Sequence, residues 1–261
     1  MQALNIAATG MLAQELNVEV ISNNIANMRT TGFKRQRAEF EDLLYQTLEQ
    51  VGSSSSDTGT VLPSGIQVGV GVKTGATYRI MSQGNLVSTD KPLDVAIRGN
   101  GFFQISLPDG RTAYTRDGAF EINADGTIVN QEGYIVEPSI TVPADAVTVS
   151  ISTDGQVEVT TSGADAPTVA GQFQLARFVN SAGLEAIGEN LFLETTASGT
   201  PTTGTPSTDG IGSLLQRFLE QSNVNAVSEI SELIMAQRAY EMNSKVISSA
   251  DEMMRATSNL S

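Results

Sequence analysis

The sequence contains no cysteine and no histidine among its 261 residues. It therefore lacks the thiolate nucleophile, and it lacks the side chain that titrates near neutrality without help from its surroundings. The usual zinc sites, cysteine–histidine dyads and serine–histidine–aspartate triads are unavailable to it. No disulfide can form, so the composition is compatible with both oxidising and reducing compartments.

Basic residues are scarce. Fifteen Lys and Arg residues stand against 29 Asp and Glu residues, for a net charge of −14. A field of this sign repels phosphate backbones and anionic membrane surfaces, so we expect no nucleic-acid partner. No apolar run approaches the ~20 residues that span a bilayer, and we expect no membrane insertion.

The first part of the chain lacks positive charge. Residues 1–13 contain neither Lys nor Arg, and the first basic residue is Arg29. A cleavable secretory signal begins with a charged segment, which is missing here. We therefore expect that any export of this chain uses a route without a cleavable signal peptide.

A seven-residue apolar repeat begins near the amino terminus and predicts a helix of about 25 residues that packs on another helix. The repeat consists of Leu4, Met11, Val18 and Ile25. It stops between Asn27 and Gly32, where Thr and Gly residues are typical of a helix end.

The same pattern returns near the carboxyl terminus and predicts a second long helix. Its apolar positions are Ile230, Leu233, Tyr240, Ile247 and Met254. A neighbouring repeat carries small or polar side chains, namely Ala236, Asn243, Ala250 and Thr257. Asn225 is a plausible N-cap, and Glu229 lies in the first turn, where a carboxylate favours the positive end of the helix dipole.

Between the helices, the hydrophobic period changes from near 3.6 to 2, which indicates strands. Asp-Gly pairs at 109–110, 117–118, 125–126 and 154–155 predict tight hairpin turns. The candidate strands are Gly101–Leu107, Ala119–Ile122, Tyr134–Val136, Val147–Ile151 and Phe173–Val179. The middle of the chain is therefore predicted to be all-β.

Two segments of low complexity flank the β region, residues 52–59 and 195–208. Their Ser, Thr, Gly and Pro residues bury little apolar surface, so we expect linkers. The prediction is an α+β fold with discontinuous domains and a coiled-coil pair of terminal helices. Residues 1–35 and 211–261 form the helical domain, residues 36–75 and 195–210 the extended linkers, and residues 76–194 the central β domain.

The apolar stripes of the two helices favour self-assembly, because two helices cover only one face of each other. We therefore predict that the nine apolar positions named above contact other copies of the chain. The simpler alternative is an antiparallel helix pair packed on the β domain of the same chain.

Several motifs of the sequence resemble those of the bacterial flagellar rod and hook proteins. The amino-terminal signature includes Asn23, Asn24, Asn27, Gly32 and Phe33. The carboxy-terminal signature includes Ser222, Asn223, Asn225, Gln237, Arg238, Asn243 and Lys245. The central stretches Gly99–Phe103 and Tyr114–Phe120 are also similar to motifs of this family, so the resemblance extends over nearly the whole chain.

Within the family, the length and the segment Tyr45–Lys73 are most similar to the distal-rod members. This rod-type segment includes Leu62, Pro63, Ser64 and Gly65. Proximal-rod and hook-type members are the alternatives in the same family. A secreted β-rich binding module or enzyme with helical tails is the alternative of a different class.

The resemblance implies a structural subunit that polymerises into a rigid tube, the shaft that passes torque from motor to hook. It implies a rod that crosses the periplasm within the basal body, and export through the flagellar type III apparatus. The implied partners are other copies of the chain, the proximal rod proteins, the hook protein and the surrounding P and L ring proteins. It implies no catalysis, no cofactor and no metal.

Two further patterns suggest other chemistry. Residues 121–132 nearly match a calcium-binding loop, although a hairpin explains them better, since Glu is long for the first position and strand-like residues flank the loop. Glu39, Glu41 and Asp42 lie beside Lys34, Arg35 and Arg37. We interpret these charges as a solvated face or as ion pairs between copies, not as a glycosidase acid–base set.

Overall fold

A computed structural model describes residues 2–49, 65–162 and 166–259. The chain forms two compact units. Unit 1 comprises residues 1–25, 36–78 and 226–261, and unit 2 comprises residues 26–35 and 79–225. Long helices lie at both ends of the chain and strands lie between them, which confirms the predicted α+β class. No helix in the described ranges is long and apolar enough to cross a bilayer.

Unit 1 contains both long helices, α1 (Gln2–Ala26) and α2 (Ala226–Asn259). The 25 residues of α1 agree with the predicted length. Asn24 contacts Glu229, and Gly10 lies against Asn243. Since the residue numbers rise on one helix as they fall on the other, the two helices run antiparallel.

Short strands complete unit 1. Strand β1 (Gln36–Asp42) pairs with β4 (Val72–Arg79), and β2 (Tyr45–Glu49) pairs antiparallel with β3 (Ile66–Gly69). Within the rod-type segment, Leu62, Pro63 and Ser64 lie outside the described residues, as does the low-complexity stretch 52–59. The rod-type segment therefore stays a sequence prediction over this range.

Unit 2 contains the remaining strands and a short 3₁₀ helix at Ser181–Gly183. The strands are β5 (Leu86–Ser88), β6 (Val95–Arg98), β7 (Phe102–Ser106), β8 (Thr112–Thr115), β9 (Glu121–Ile122), β10 (Ile128–Val129), β11 (Ile135–Glu137), β12 (Ala146–Ile151), β13 (Gln156–Thr161), β14 (Thr168–Gln172), β15 (Leu175–Arg177), β16 (Glu185–Gly188), β17 (Leu191–Leu193), β18 (Thr202–Gly204), β19 (Ser213–Gln216) and β20 (Phe218–Glu220). Each predicted strand overlaps one of these.

Strand β7 is central to the main sheet, whose order is β16-β17-β8-β7-β11-β10-β9. β7 also pairs with β15, which in turn pairs with β18. A second sheet has the order β12-β13-β14, and two strand pairs, β6 with β19 and β5 with β20, tie the end of unit 2 to its beginning. The strand pairs of these sheets are antiparallel, as hairpin connections favour.

Three of the four Asp-Gly pairs form the predicted hairpin turns. Gly110, Gly126 and Gly155 each have φ +82 and connect consecutive paired strands. The prediction is wrong for the fourth, because Gly118 lies outside the left-handed region and outside a hairpin. A Cβ there would lie 1.7 Å from the Val95 carbonyl oxygen. Gly118 thus serves a close backbone approach.

The stretch 195–208 is folded, although its composition predicts a linker. It contains β18, and Ser198 is buried. Thr195 Oγ1 accepts hydrogen bonds from the amides of Ala197 and Ser198 and donates one to the Gly183 carbonyl. Hydroxyl groups therefore order this segment by bonding its backbone, a contribution that apolar content does not measure.

Unit 2 has an aromatic core on the inner face of the sheet. Phe103 is fully buried and packs edge-to-face on Phe120 and Phe173, with ring centroids 4.9 and 6.0 Å away. A second cluster, around Phe102 and Phe178, lies on the other face of β7. The alternation of these side chains along β7 places both faces of the strand in hydrophobic surroundings.

Candidate assembly surface

The two helices of unit 1 meet along a narrow seam of small and polar side chains. On α2 the seam consists of Glu229, Ala236, Asn243 and Ala250, spaced by seven residues. Ala236 is 2% exposed and Glu229 is fully buried. This is the small and polar repeat seen in the sequence, so the large apolar repeat beside it is not the line of closest approach.

Gly10 allows the close approach at one point of the seam. A Cβ added there would lie 2.8 Å from Asn243 Nδ2. Asn243 is a family-motif residue, and its side chain fills the space above Gly10. The middle of the seam thus depends on a small residue on α1 and an amide on α2.

Asn24 closes the seam at the end of α1. Its Nδ2 donates to Glu229 Oε2 at 3.0 Å and to the Gln36 carbonyl at 2.8 Å, and its Oδ1 accepts from the Gln36 amide at 2.9 Å. This buried amide joins α1, the first turn of α2 and the start of β1. Satisfying both ends of a buried amide makes such a position sensitive to substitution.

Many large apolar side chains of α2 are exposed. Their exposed fractions reach 75% at Val227, 65% at Met253 and 62% at Met235. The others are Ile230, Ile234, Tyr240, Met242, Val246 and Met254. Since a helix that is apolar on most sides is usually buried, α2 has the surface of a helix that is covered by another molecule.

The nine predicted interface residues fall into two groups. Leu4, Met11, Val18, Ile25, Leu233 and Ile247 are half-buried within unit 1. Ile230, Tyr240 and Met254 are exposed by 49%, 45% and 41%. One copy thus covers part of each side chain in the first group and leaves the second group open to solvent.

A groove of ≈ 520 Å³ lies between α1 and α2. Val18 and Tyr240 supply its apolar surface. The polar residues of its lining are Glu15, Glu19, Gln237 and Glu241. This groove combines an apolar floor with three carboxylates on its rim.

A buried ion cluster lies in unit 2. Glu220 Oε1 is 2.5 Å from Lys34 Nζ, and Glu220 Oε2 is 3.0 Å from Arg116 Nε. All three side chains are at most 5% exposed. Glu220 Oε1 also accepts from the Gly84 amide at 2.9 Å, and Arg116 Nη1 donates to the Gly99 and Gly101 carbonyls.

Burial dominates the electrostatics of the cluster. Desolvation lowers the pKa of the Lys34 ammonium, while the facing Glu220 carboxylate opposes this shift. Desolvation likewise lowers the pKa of the Arg116 guanidinium. Lys34 Nζ also donates to the Ser82 carbonyl at 2.8 Å, so its charge is hydrogen-bonded as well as paired.

The proposed pairing of the basic group between copies is wrong for Lys34, which pairs with Glu220 of its own chain. Arg37 and Glu39 also pair within the chain at 2.8 Å. The sequence interpretation failed because Glu220 lies 186 residues from Lys34, and nothing in the local charge pattern reveals so distant a partner.

Several family-motif residues surround the cluster. Asn223 Oδ1 accepts from the Arg35 amide at 2.7 Å, and its Nδ2 donates to the carbonyls of Ile80 and Ser82. The Gly32 amide donates to the Glu220 carbonyl at 2.8 Å. These bonds clamp the segment that leaves α1 to the segment that leads into α2.

Gly32 has a conformational reason to be glycine. Its φ is +70, and a Cβ would lie 2.8 Å from the Asp117 amide nitrogen. Both the left-handed backbone and the contact disfavour any side chain.

The other motif residues have varied surroundings. Ser222 is buried, and its Oγ accepts from the Val224 amide at 3.3 Å, while Asn27 Oδ1 accepts from Thr30 Oγ1 at 3.1 Å. Phe33 is half-buried, and Asn225 directly precedes α2. The exposed motif residues are Asn23, Asn225, Gln237, Arg238 and Lys245.

Residues 121–132 form the hairpin that the sequence favours. β9 pairs with β10, and Asn123 Oδ1 accepts from the amides of Asp125 and Thr127 in the turn. In the part of the chain that the structure describes, no group of three or more acidic side chains is arranged as a metal site.

Three protein-family models match the chain. Residues 4–34 match the model described as flagella basal body rod protein. Residues 96–159 match the D1 domain of flagellar hook protein FlgE/F/G, and residues 215–260 match the carboxy-terminal model of flagellar basal body rod FlgEFG proteins. The matches cover both terminal regions and part of unit 2.

Similar proteins extend over the full length. The chain is 61% identical over 260 residues to the flagellar basal-body rod protein FlgG of Caulobacter vibrioides, covering 100% of this chain and 99% of that protein. It is 53% identical to FlgG of Agrobacterium fabrum, covering 97% of each. The similarity to the flagellar hook protein FlgE of Helicobacter mustelae, 41% identical, covers 52% of this chain and 30% of that protein.

Proposed function

The chain belongs to the flagellar basal-body rod protein FlgG family, and from this membership we propose how it assembles. It is a structural component of the flagellar distal rod. Its terminal helices join neighbouring copies in an inner layer of a tube, and unit 2 lies in an outer layer. The supporting observation is that α2 meets α1 through Ala236 and Asn243 while large apolar side chains remain exposed.

The assembly surface is the set of residues predicted from the sequence. Leu4, Met11, Val18 and Ile25 contribute from α1, and Ile230, Leu233, Tyr240, Ile247 and Met254 contribute from α2. Contact with other copies removes the apolar side chains of α2 from water, at roughly 25 cal/mol for each Å² that is buried. This gain drives polymerisation.

Two layers of contacts are needed because the shaft transmits torque. A single layer of contacts shears or bends under a twisting load, whereas contacts at two radii resist it. The two terminal helices supply the inner layer, and unit 2 supplies the outer one. The segment Tyr45–Lys73, with Leu62, Pro63, Ser64 and Gly65, braces neighbouring subunits along the axis. Rods that keep their stiffness after deletion of residues 52–64 would argue against this last role.

The function is structural, and the chain carries out no catalysis and takes no cofactor. The alternative of a secreted β-rich enzyme or binding module explains the β unit but gives no reason for the exposed apolar side of α2. The proximal-rod and hook-type alternatives fit less well, because the relatives that match over the full length are named FlgG.

The partners are first other copies of the chain and the neighbouring flagellar components in the basal body. In finer detail, we propose contact with the proximal rod proteins at one end, with the hook protein at the other, and with the P and L rings around the shaft. The rod crosses the periplasm, and the chain reaches it through the flagellar type III export apparatus without a cleaved signal peptide.

Charge substitution in the inner layer tests the function. Leu233→Asp or Ile247→Asp should abolish polymers seen by electron microscopy, because each places a carboxylate beside the helix seam. Unit 2 should stay folded, as circular dichroism would report. Val179→Asp is the control, since Val179 is 93% exposed in unit 2. Normal polymers from the first two variants, or an unaltered chain that stays monomeric at high concentration with both helices protected from hydrogen exchange, would refute the proposal.

A further inference from the structure

The groove between α1 and α2 carries negative charge that the chain itself does not neutralise. Helix α1 contains Glu15 and Glu19 and has no Lys or Arg. Glu241 adds a third carboxylate from α2. Within the described residues, none of the three takes part in an ion pair or a side-chain hydrogen bond. A partner for this groove should therefore bring positive charge and apolar surface together.

The chain offers such a surface elsewhere on α2. Four exposed residues, spaced by three, four and three, form a stripe of alternating methionine and basic side chains. They are Met235, Arg238, Met242 and Lys245. At about 100° per residue, they fall within an arc of roughly 80°. Arg238 and Lys245 have no ion-pair partner within 4 Å in the described part of the chain.

The groove and the Met/basic stripe lie on different sides of α2. Helix geometry separates the centre of the stripe from Gln237 by roughly 120°, from Tyr240 by roughly 180° and from Glu241 by roughly 80°. The stripe also points away from the seam with α1, which contains Ala236. The methionines of the stripe are therefore unable to reach Tyr240 in the groove of the same copy, although Glu241 lies within reach of the basic end of the stripe.

We propose that the groove of one copy receives the Met/basic stripe of α2 from a second copy. Arg238 and Lys245 of the incoming helix pair with the carboxylates of Glu15, Glu19 and Glu241. Its methionine side chains lie on Val18 and on the ring of Tyr240, where sulfur–aromatic contacts are favourable. The inference rests on the proposed function and assigns the faces through which the copies join.

The symmetry of this contact suits a polymer. Because the groove and the stripe are different surfaces, the contact is heterologous, and a joined pair keeps one free groove on one copy and one free stripe on the other. Such contacts generate rings or open helical filaments, whereas a contact of one patch with itself ends at a dimer. The contact can therefore be repeated from copy to copy, as a polymer requires.

Charge reversal tests the pairing. The variant Arg238→Glu/Lys245→Glu should raise the critical concentration for polymerisation by at least about tenfold, because it places carboxylates against carboxylates. Adding Glu15→Lys/Glu19→Lys to that variant should bring the value back towards that of the unaltered chain. Lys91→Glu/Arg111→Glu is the control with the same change in net charge, at two exposed cations of unit 2. Sedimentation at matched concentrations measures all four proteins.

The outcomes separate this inference from the proposed function. The inference would be overturned if Arg238→Glu/Lys245→Glu polymerised at the same critical concentration as the control. It would also be overturned if adding Glu15→Lys/Glu19→Lys did not lower the critical concentration again. If the Leu233→Asp variant still failed to polymerise in the same assay, the proposed function would survive. An unaltered chain that never polymerises would instead remove the proposed function itself.

Cross-linking gives an independent readout, since the chain has no cysteine. Glu19→Cys protein that carries a size tag is mixed with untagged Met242→Cys protein and polymerised in the presence of a short thiol cross-linker. The proposed contact should yield a cross-linked dimer of one tagged and one untagged chain. The matched control replaces Met242→Cys by Val179→Cys, which should yield far less. Equal yields from the two mixtures would contradict the proposed contact.

Discussion

The two units treat their largest apolar side chains in opposite ways. In unit 2, Phe103, Phe120 and Phe173 are at most 2% exposed. In unit 1, Ala236 is 2% exposed while Met235 beside it is 62% exposed. Unit 2 thus has a complete hydrophobic core, whereas α2 buries its small side chains Ala236 and Ala250 and exposes most of its large apolar ones. The difference indicates that unit 1 is completed only when copies assemble.

The two units also differ in whether their charged side chains are paired. Unit 2 contains Lys34, Glu220 and Arg116 in a buried cluster whose charges face one another. Unit 1 exposes Glu15 and Glu19 without a partner among the described residues. A buried charge is costly unless it is paired, while an exposed one is free to recruit a partner.

The sharpest way to break the comparison is to remove one large side chain from each unit. Phe103→Ala should lower the free energy of unfolding of unit 2 by about 4 kcal/mol, because it leaves a cavity in a closed core. Met242→Ala should change the stability of the monomer by less than about 0.5 kcal/mol. Urea unfolding of the monomeric chain, followed by circular dichroism, measures both.

Polymerisation should reverse the order of these two variants. Met242→Ala should raise the critical concentration because it removes apolar contact between copies. A strongly destabilised Met242→Ala monomer would show that unit 1 is already complete in one copy, and the comparison would fail.

A smaller effect is expected from the buried ion cluster. Glu220→Gln should cost unit 2 about 3 kcal/mol, because it leaves the Lys34 and Arg116 charges buried without a counterion. Lys34→Met should cost less, since one cation and one carboxylate remain paired. Chemical unfolding of the two variants ranks them. A larger loss for Lys34→Met would show that the hydrogen bonds of the ammonium to Ser82 and Glu220, not the balance of charge, dominate this cluster.

The smallest expected effect concerns the pH dependence of unit 2. Burial raises the pKa of the Asp117 carboxyl above its ordinary value of 3.8, while the Ala119 amide opposes the shift. The folded state then holds the proton more tightly than the unfolded state. The resulting stabilisation is present below pH 3.8 and is lost as pH rises through the folded-state pKa.

Asp117→Asn removes this titration. The free energy of unfolding of the unaltered chain, minus that of the variant, should therefore fall as pH rises from below 3.8. Urea unfolding at a series of pH values gives this difference. A flat or rising difference would contradict the direction of the pKa shift.

Local patterns predicted the elements of this fold well. Seven-residue repeats identified α1 and α2, and the change to a period of two identified the β region. Both signals depend only on neighbours in sequence. The same repeats also marked the small residues Ala236 and Asn243, but the sequence does not say whether small or large side chains form the contact within one copy.

Long-range pairing was beyond the sequence. Nothing local places β7 between β8 and β11, or brings Arg116 to Glu220. The groove between the helices depends on their register, which is set by contacts such as that of Asn24 with Glu229. The role of Arg116 was missed for the same reason, because burial with a distant carboxylate leaves no trace in composition or spacing.

The clamp at Glu220 has a consequence for how this architecture can vary. Glu220 accepts from the Gly84 amide at 2.9 Å, and Asn223 donates to the Ile80 carbonyl at 2.9 Å, so residues 79–225 begin and end at adjacent points. A junction of this kind accepts any inserted module whose own two ends lie side by side. Modules of other sizes and shapes can therefore replace residues 79–225 at this point, which makes it a graft site for engineering new surfaces onto the chain.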